Sequence, residues 1–493
     1  MTDGAPAPPS RRPLALALAW VAAVALAVAV TGGPLGNDEA AYAVGARGLV
    51  GEPGVDVDPY PHYRSIGMRV LSAPGVLAGS SDAAMRLPLL PFALTYLALV
   101  WWLARRAGGT ATAVLAIAVQ VSAGPWLART GEGLSDIPSA TLVLAMIALM
   151  VGGSGHEPRR ARRARWSAVA LCGAAAIHVR YGNAPLVALV SLVGLVALRG
   201  RRPAVLASGA GVGILMVPFL LWSHQETGSF LGMLRAGESA AARDFVGDGL
   251  WWYATRWMTE VSWPVMGALS LLGVFAGWKA WTSARDGATG GATATDTSRG
   301  VVAPVELRRL LSAVAVADIV ALGLVVHGEA RFVFASVSAL SIIGAATVAP
   351  RLFAHARLRR LAILVLALST AAAGTYAVAR AARVGDGRQP MVAAASAIRA
   401  DVARGAPGER CLVYTGTRPQ VGWYTRCRTS LVGEEPVAAF TADGYQRVYV
   451  LSAAHQPRQP SDGARLSAPG LVFRTLACGE GWCVWRARPP IEP

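Results

Sequence analysis

The sequence predicts an α-helical polytopic membrane protein of about eleven transmembrane helices, with a small α/β domain outside the membrane at its carboxyl end. Three observations predict it. Of 493 residues, 54% are AVILMFWYC and only 15% are charged, and the mean hydropathy is +0.44, too apolar and too poor in charge for a soluble chain of this length. Apolar runs near the ~20 residues that cross a bilayer recur along the first 380 positions. Beyond Arg380 the composition changes to Arg, Asp, Pro and Gly mixed with short β-rich runs. The formal charge of +17 does not indicate nucleic acid, because the arginines fall in short clusters between apolar runs and form no aromatic-laced surface.

The first expected span, 13–31, follows Arg11 and Arg12. A cleaved signal peptide has similar flanks, but the run is long for one and many spans follow. Residues 32–86 are rich in Gly and Pro and form the first large external loop. Further spans are expected at 87–104, 110–127, 136–153, 166–181, 184–198, 204–222, 259–281, 309–326, 332–350 and 361–380. The span at 166–181 is short and ends in HVRYGN, the pattern of a broken or re-entrant helix. Segments placed in the cytoplasm by this count hold 21 Lys and Arg against 10 in external loops, with 15 more in the tail. That bias puts the amino terminus inside a cytoplasmic (inner) membrane and the carboxyl terminus outside. Residues 283–303, rich in Gly, Ala and Thr, read as a cytoplasmic linker. The expected division is thus a membrane domain, 1–380, and an extracytoplasmic domain, 381–493.

The tail has expected strands at 410–416, 446–452 and 470–476. It also holds four of the five cysteines, Cys411, Cys427, Cys478 and Cys483. An even set in one soluble domain suggests disulfides in an oxidising compartment. Three pairings are possible, and Cys411–Cys427 with Cys478–Cys483 keeps each pair local.

Ionisable residues near membrane depth are costly and therefore mark candidate sites. Asp38 and Glu39 open a helix just beyond the first span, where an acidic pair serves equally as a cap favoured by the helix dipole. Arg129, Glu132 and Asp136 lie between the third and fourth spans, and Asp136-Ile-Pro also fits an ordinary helix start. His327, Glu329 and Arg331 stand within five residues between two apolar helices; Arg331 can clamp a phosphate bidentately, and His327 and Glu329 can orient it. All three clusters face outward in this topology. A carboxylate base and arginines for a phosphate are what sugar transfer from a polyprenyl phosphate needs.

At NDEAAYAVGARGLV (37–50), GMRVLSAPGVLAGSSDAAMRLPLLP (67–91), GEGLSDIPSATLVLAM (131–146) and HGEARFVFASVSAL (327–340), the sequence resembles the GT-C superfamily of polytopic glycosyltransferases. The likeness is to the bacterial relatives of protein O-mannosyltransferases and aminoarabinose transferases, and it covers roughly residues 12–350. It implies Asp38 as catalytic base, Glu39 as a supporting carboxylate, Asp136 as the acidic residue of the second loop, and Arg331 in the donor-phosphate region. His62 and Arg64 stand where the first loop often carries a His/Lys–Pro element, although YPHYRSIG departs from the Pro-Pro type of turn. The implied donor is a mannose- or arabinose-like sugar on polyprenyl phosphate, and the acceptor a glycan, lipid or protein. A required cofactor is not implied, since no DxD occurs in the first two loops; Asp38, Glu39 and Asp136 could still form a weak divalent-cation site. A secondary transporter would also carry intramembrane charges, but at midplane sites in repeated halves, and no internal repeat is visible. An inactive membrane scaffold presenting the tail is the other alternative.

Overall fold

The apolar runs of the sequence are helical in the computed structural model, which describes residues 12–52, 65–153, 157–235, 244–286, 302–406, 408–430, 445–453, 472–479 and 481–488. By packing, the chain forms two compact units, one of Met1–Ala27 with Leu89–Val378 and one of Val28–Pro88 with Ala379–Pro493. Packing therefore groups the first loop with the tail, where composition had divided the chain near residue 380.

The first unit takes in the amino-terminal part of α1 (Arg12–Thr31). The run from Leu90 to Val121 (α5) is two helices joined at Gly108 and Gly109, the second of which has φ +85°. That left-handed conformation suits glycine, and the joint falls where the sequence separates its second and third spans. α6 (Gly124–Arg129) and α7 (Asp136–Val151) follow. α8 runs Arg159–Val179, taking the RRARRAR cluster into its exposed first turns, so it starts earlier than the short span expected at 166–181. A break at Arg180–Asn183 leads to α9 (Ala184–Ala197), confirming the expected interruption, and then to α10 (Arg202–Thr227).

After α11 (Asp248–Arg256) and a π turn, α12 begins at Pro264 and ends at Asp286. It starts later than the expected span because Trp263 adopts φ +68° and stops the preceding helix. α13 (Pro304–Val325), α14 (Phe334–Ala354) and α15 (Ala356–Asp386) complete the helical set, α15 extending past Val378. Of the linker expected at 283–303, residues 287–301 lie outside the described residues. α14 is the central helix of the unit, rich in Ala and Ser, and it packs against α12 and α5. The approach of α12 to α14 is close because a Cβ on Gly273 would meet the Leu340 carbonyl oxygen at 2.0 Å, and one on Gly344 the Leu269 oxygen at 2.0 Å. Small residues at such crossings let helices pack where burial of apolar surface supplies no drive.

Among the described residues, five helical segments are long and apolar enough to cross a membrane: Arg12–Thr31, Asp82–Val121, Arg199–Thr227, Ala330–Ala354 and Ala356–Asp386. Leu206, Ile214 and Leu221 of α10, and Leu361, Ile363, Leu364 and Leu368 of α15, are exposed. Such apolar surface is stable against lipid and unfavourable against water. The chain is a multi-pass membrane protein.

The second unit is α/β. It contains α2 (Asn37–Val50), α3 (Ile66–Leu77), α4 (Asp82–Arg86), α16 (Gln389–Ala403), α17 (Arg418–Thr425) and a mixed five-stranded sheet. The strands are β1 (Cys411–Tyr414), β2 (Arg428–Ser430), β3 (Arg447–Ala453), β4 (Val472–Gly479) and β5 (Trp482–Arg488). Their order is β2-β1-β3-β5-β4, with β1 parallel to β2 and β3 and with β5 antiparallel to β3 and β4. β1, β3 and β4 fall on the expected runs; β2 and β5 are additional. Both expected disulfides are present: Cys411–Cys427 joins β1 to the residue before β2, and Cys478–Cys483 lies across the β4–β5 hairpin.

α16 is fastened to the sheet by Asp401, which is 4% exposed. Its carboxylate accepts from the Tyr449 hydroxyl at 2.7 Å and from Arg447, Arg404 and Arg486 at 2.9–3.1 Å. Burial alone would raise its pKa, but the tyrosine and the three arginines outweigh burial and hold the carboxyl below the ordinary aspartate value.

Candidate functional site

In the helical unit, the charged loop residues come together at the ends of α7, α8 and α14. Asp136 is the first residue of α7, but no side chain caps that helix. Its carboxylate, 1% exposed, instead pairs with Arg180 at the break after α8. The second carboxylate oxygen lies 3.9 Å from the Arg331 guanidinium. Asp136 is thus a buried anion held between two arginines, and the capping alternative is not the one adopted.

Arg331 stands in a 3₁₀ turn, Ala330–Val333, immediately before α14. It binds Glu329 through Nε and Nη2, and Glu329 also meets His327 Nε2 at 2.9 Å. Burial pushes the Glu329 carboxyl up, yet hydrogen bonding and charge from Arg331 and His327 prevail and leave it below its ordinary value. Phe332 supplies a face for this group: the Arg180 guanidinium lies 4.4 Å and that of Arg331 5.5 Å from its ring centre, and His327 approaches edge-on at 5.8 Å. Stacking and paired carboxylates fix both guanidinium planes. Arg129, at the end of α6, pairs with Glu132, and α6 packs on the turn that carries Arg331. Arg129, Asp136, His327, Glu329 and Arg331 therefore belong to one neighbourhood.

Sequence reasoning did not single out Arg180, although it lies within the HVRYGN segment at the interruption of a span. Asp318 was also missed. It is 2% exposed inside α13 and accepts a hydrogen bond from the Ser336 hydroxyl at 2.6 Å. A carboxylate in an apolar run, ADIVALGL, is the signal that points to it.

In the second unit, α2 begins with Asn37 and carries Asp38, half-buried, in its first turn. Glu39, 6% exposed, closes the helix start by accepting from the Gly36 N–H at 2.7 Å. Arg86 grips the same carboxylate through Nε at 2.8 Å and Nη2 at 3.0 Å, and Arg388 reaches it at 3.4 Å. Arg86 also donates to the carbonyls of Ala29, Gly33 and Pro34. The capping alternative thus holds for Glu39, whose oxygens are occupied by backbone and arginine. His62 and Arg64 lie outside the described residues. Among the described residues, no group of three His, Cys, Asp or Glu side chains could hold a metal ion; Glu39 and Asp136, two members of the expected cation site, each face arginine.

No family model matches the sequence, and no curated protein does. Solved structures do match. The crystal structure of ArnT from Cupriavidus metallidurans bound to undecaprenyl phosphate is 16% identical with a TM-score of 0.68, covering 97% of this chain and 98% of its own. The apo state of the same protein gives a TM-score of 0.64 over 96% and 98%. The oligosaccharyltransferase of Archaeoglobus fulgidus, solved with Zn and sulfate, is 13% identical with a TM-score of 0.54, covering 88% of this chain and 67% of its own. The chain shares its fold with these proteins.

Proposed function

We propose that this protein is a membrane glycosyltransferase that takes a sugar from a polyprenyl-phosphate donor and passes it, with inversion, to an acceptor outside the inner membrane. The observation that carries the reading is the pair of arginines, Arg180 and Arg331, fixed by Asp136, Glu329 and Phe332 at the ends of apolar helices. Such preorganised guanidinium donors suit a lipid phosphate arriving from the bilayer. The fold shared with a protein crystallised with undecaprenyl phosphate supports the same donor class.

In this mechanism Asp38 removes the proton of an acceptor hydroxyl as that oxygen attacks the anomeric carbon. The bond from that carbon to the phosphate oxygen breaks, and the electron pair stays on the departing polyprenyl phosphate, whose growing charge Arg331 and Arg180 stabilise. Glu39 keeps α2 in place. Arginine neutralises Glu39 and Asp136, so the phosphate depends here on guanidinium groups. Mannose and arabinose derivatives are the expected sugars.

Transfer from a radiolabelled polyprenyl-phosphate sugar, measured in membranes holding matched amounts of each variant, tests the reading. Asp38→Asn keeps the shape but removes the proton acceptor, so turnover should fall ~10²–10⁴-fold while donor binding survives. Arg331→Ala should raise KM for the donor and lower kcat as well. Wild-type turnover by Asp38→Asn would remove Asp38 from catalysis, and a wild-type protein inert toward every such donor would return the transporter or scaffold alternatives.

A further inference from the structure

α17, eight residues of the tail, packs directly on α2. Three of its residues, Gln420, Trp423 and Tyr424, make the contacts. The Gln420 side-chain amide donates to the Leu35 carbonyl at 3.0 Å, and the Tyr424 hydroxyl accepts from the Leu35 N–H at 2.6 Å. That hydroxyl then donates to Asp82 at 2.9 Å, tying the Leu35 backbone to the start of α4. At the far end of α2, Arg47 lies 3.5 Å from the Trp423 ring centre and donates to the Trp423 carbonyl at 2.7 Å. Both backbone polar groups of Leu35, three residues ahead of Asp38, are therefore held by one short helix that also grips the last turn of α2.

We infer that α17 is the positioning element for the proposed base, with Tyr424 and Gln420 fixing the backbone that aims Asp38 and Trp423 fixing the axis of α2. The inference rests on the assignment of Asp38 made above. Tyr424 is a suitable residue for the task because one half-buried hydroxyl both accepts from the backbone and donates to a carboxylate, so its two bonds reinforce each other. Neither Tyr424 nor Gln420 touches the reacting atoms. Their loss should loosen the α2 entry without altering donor phosphate contacts.

The test uses the full-length protein and the variants Tyr424→Phe and Gln420→Ala. Tyr424→Phe keeps the ring and loses both hydrogen bonds; kcat should fall about tenfold with donor KM unchanged, because small displacements of a reacting group are costly to rate. In Asp38→Asn the further change Tyr424→Phe should cost nothing more, since there is no base left to aim. Amide hydrogen exchange supplies a readout independent of transfer: exchange at 35–40 should rise in both variants while α14 stays protected. If the wild type proves inert as a transferase, the exchange result still decides whether α17 holds this segment. Unchanged kcat and unchanged exchange at 35–40 in both variants would overturn the inference. So would an undiminished penalty of Tyr424→Phe in the Asp38→Asn background, because that is the mark of a general structural role.

Discussion

Asp136 shares its charge between two arginines while almost wholly removed from solvent, and a buried carboxylate of that kind is stable only while its partners remain. Arg180→Ala leaves the anion only the more distant Arg331 and should cost about 3 kcal/mol, somewhat less than for a fully enclosed pair because Arg331 remains and Arg180 is itself partly exposed. Adding Asp136→Asn should recover much of that loss, a non-additivity that thermal melts of the purified single and double variants would reveal. Additive losses would show that the two side chains are not coupled. Asp136, Glu329 and Arg331 were legible in the sequence because charges beside apolar runs are conspicuous, whereas Arg180 and Asp318 were passed over. The pairings were not legible. Asp136 and Arg180 are separated by 44 positions, and Glu39 and Arg388 by 349, and no local spacing announces such a pairing.

At the scale of elements, what was readable followed from periodicity and punctuation. Apolar runs gave the helices, the gap between the spans at 87–104 and 110–127 gave a joint, and HVRYGN gave an interruption. The start of α12 was misplaced because the turn at Trp263 has a positive φ that tryptophan does not advertise. β5 was missed although its Trp and Val residues favour a strand. The attachment of α16 to the sheet through Asp401 carries a pH dependence with a definite sign. The folded carboxyl sits below its unfolded value, so the unfolded chain takes up the proton first as acid is added. The stabilisation is complete above about pH 4, the ordinary aspartate value, and is lost as pH falls through the lower folded value. Melting of the full-length protein, followed by tryptophan fluorescence from pH 7 to pH 2.5, should show this loss, and Asp401→Asn should be less stable at neutrality with a flatter acid limb. A variant with the wild-type acid limb would place the titration elsewhere.

For the whole molecule, hydropathy and arginine bias describe how the chain crosses a bilayer, and both were open to reading from the sequence. A reporter fused after Asp386 should be active outside the cytoplasm and one inserted within 287–301 active inside, as the 21-to-10 bias of Lys and Arg requires; the reverse pattern would remove the outward-facing site. The grouping of Val28–Pro88 with the tail was hidden, because a contact such as Leu35 to Tyr424 joins residues 389 positions apart. That separation has a consequence for how the protein is made. A chain emerges from its amino end, so α2 is synthesised near the beginning and its support near the end. Cys427, which bonds to Cys411, lies just after α17, so α17 is fixed on both sides only after that stretch has left the ribosome and the bond has closed. Every earlier nascent stage has Asp38 but lacks the helix that packs on α2, and the chain matures as a whole.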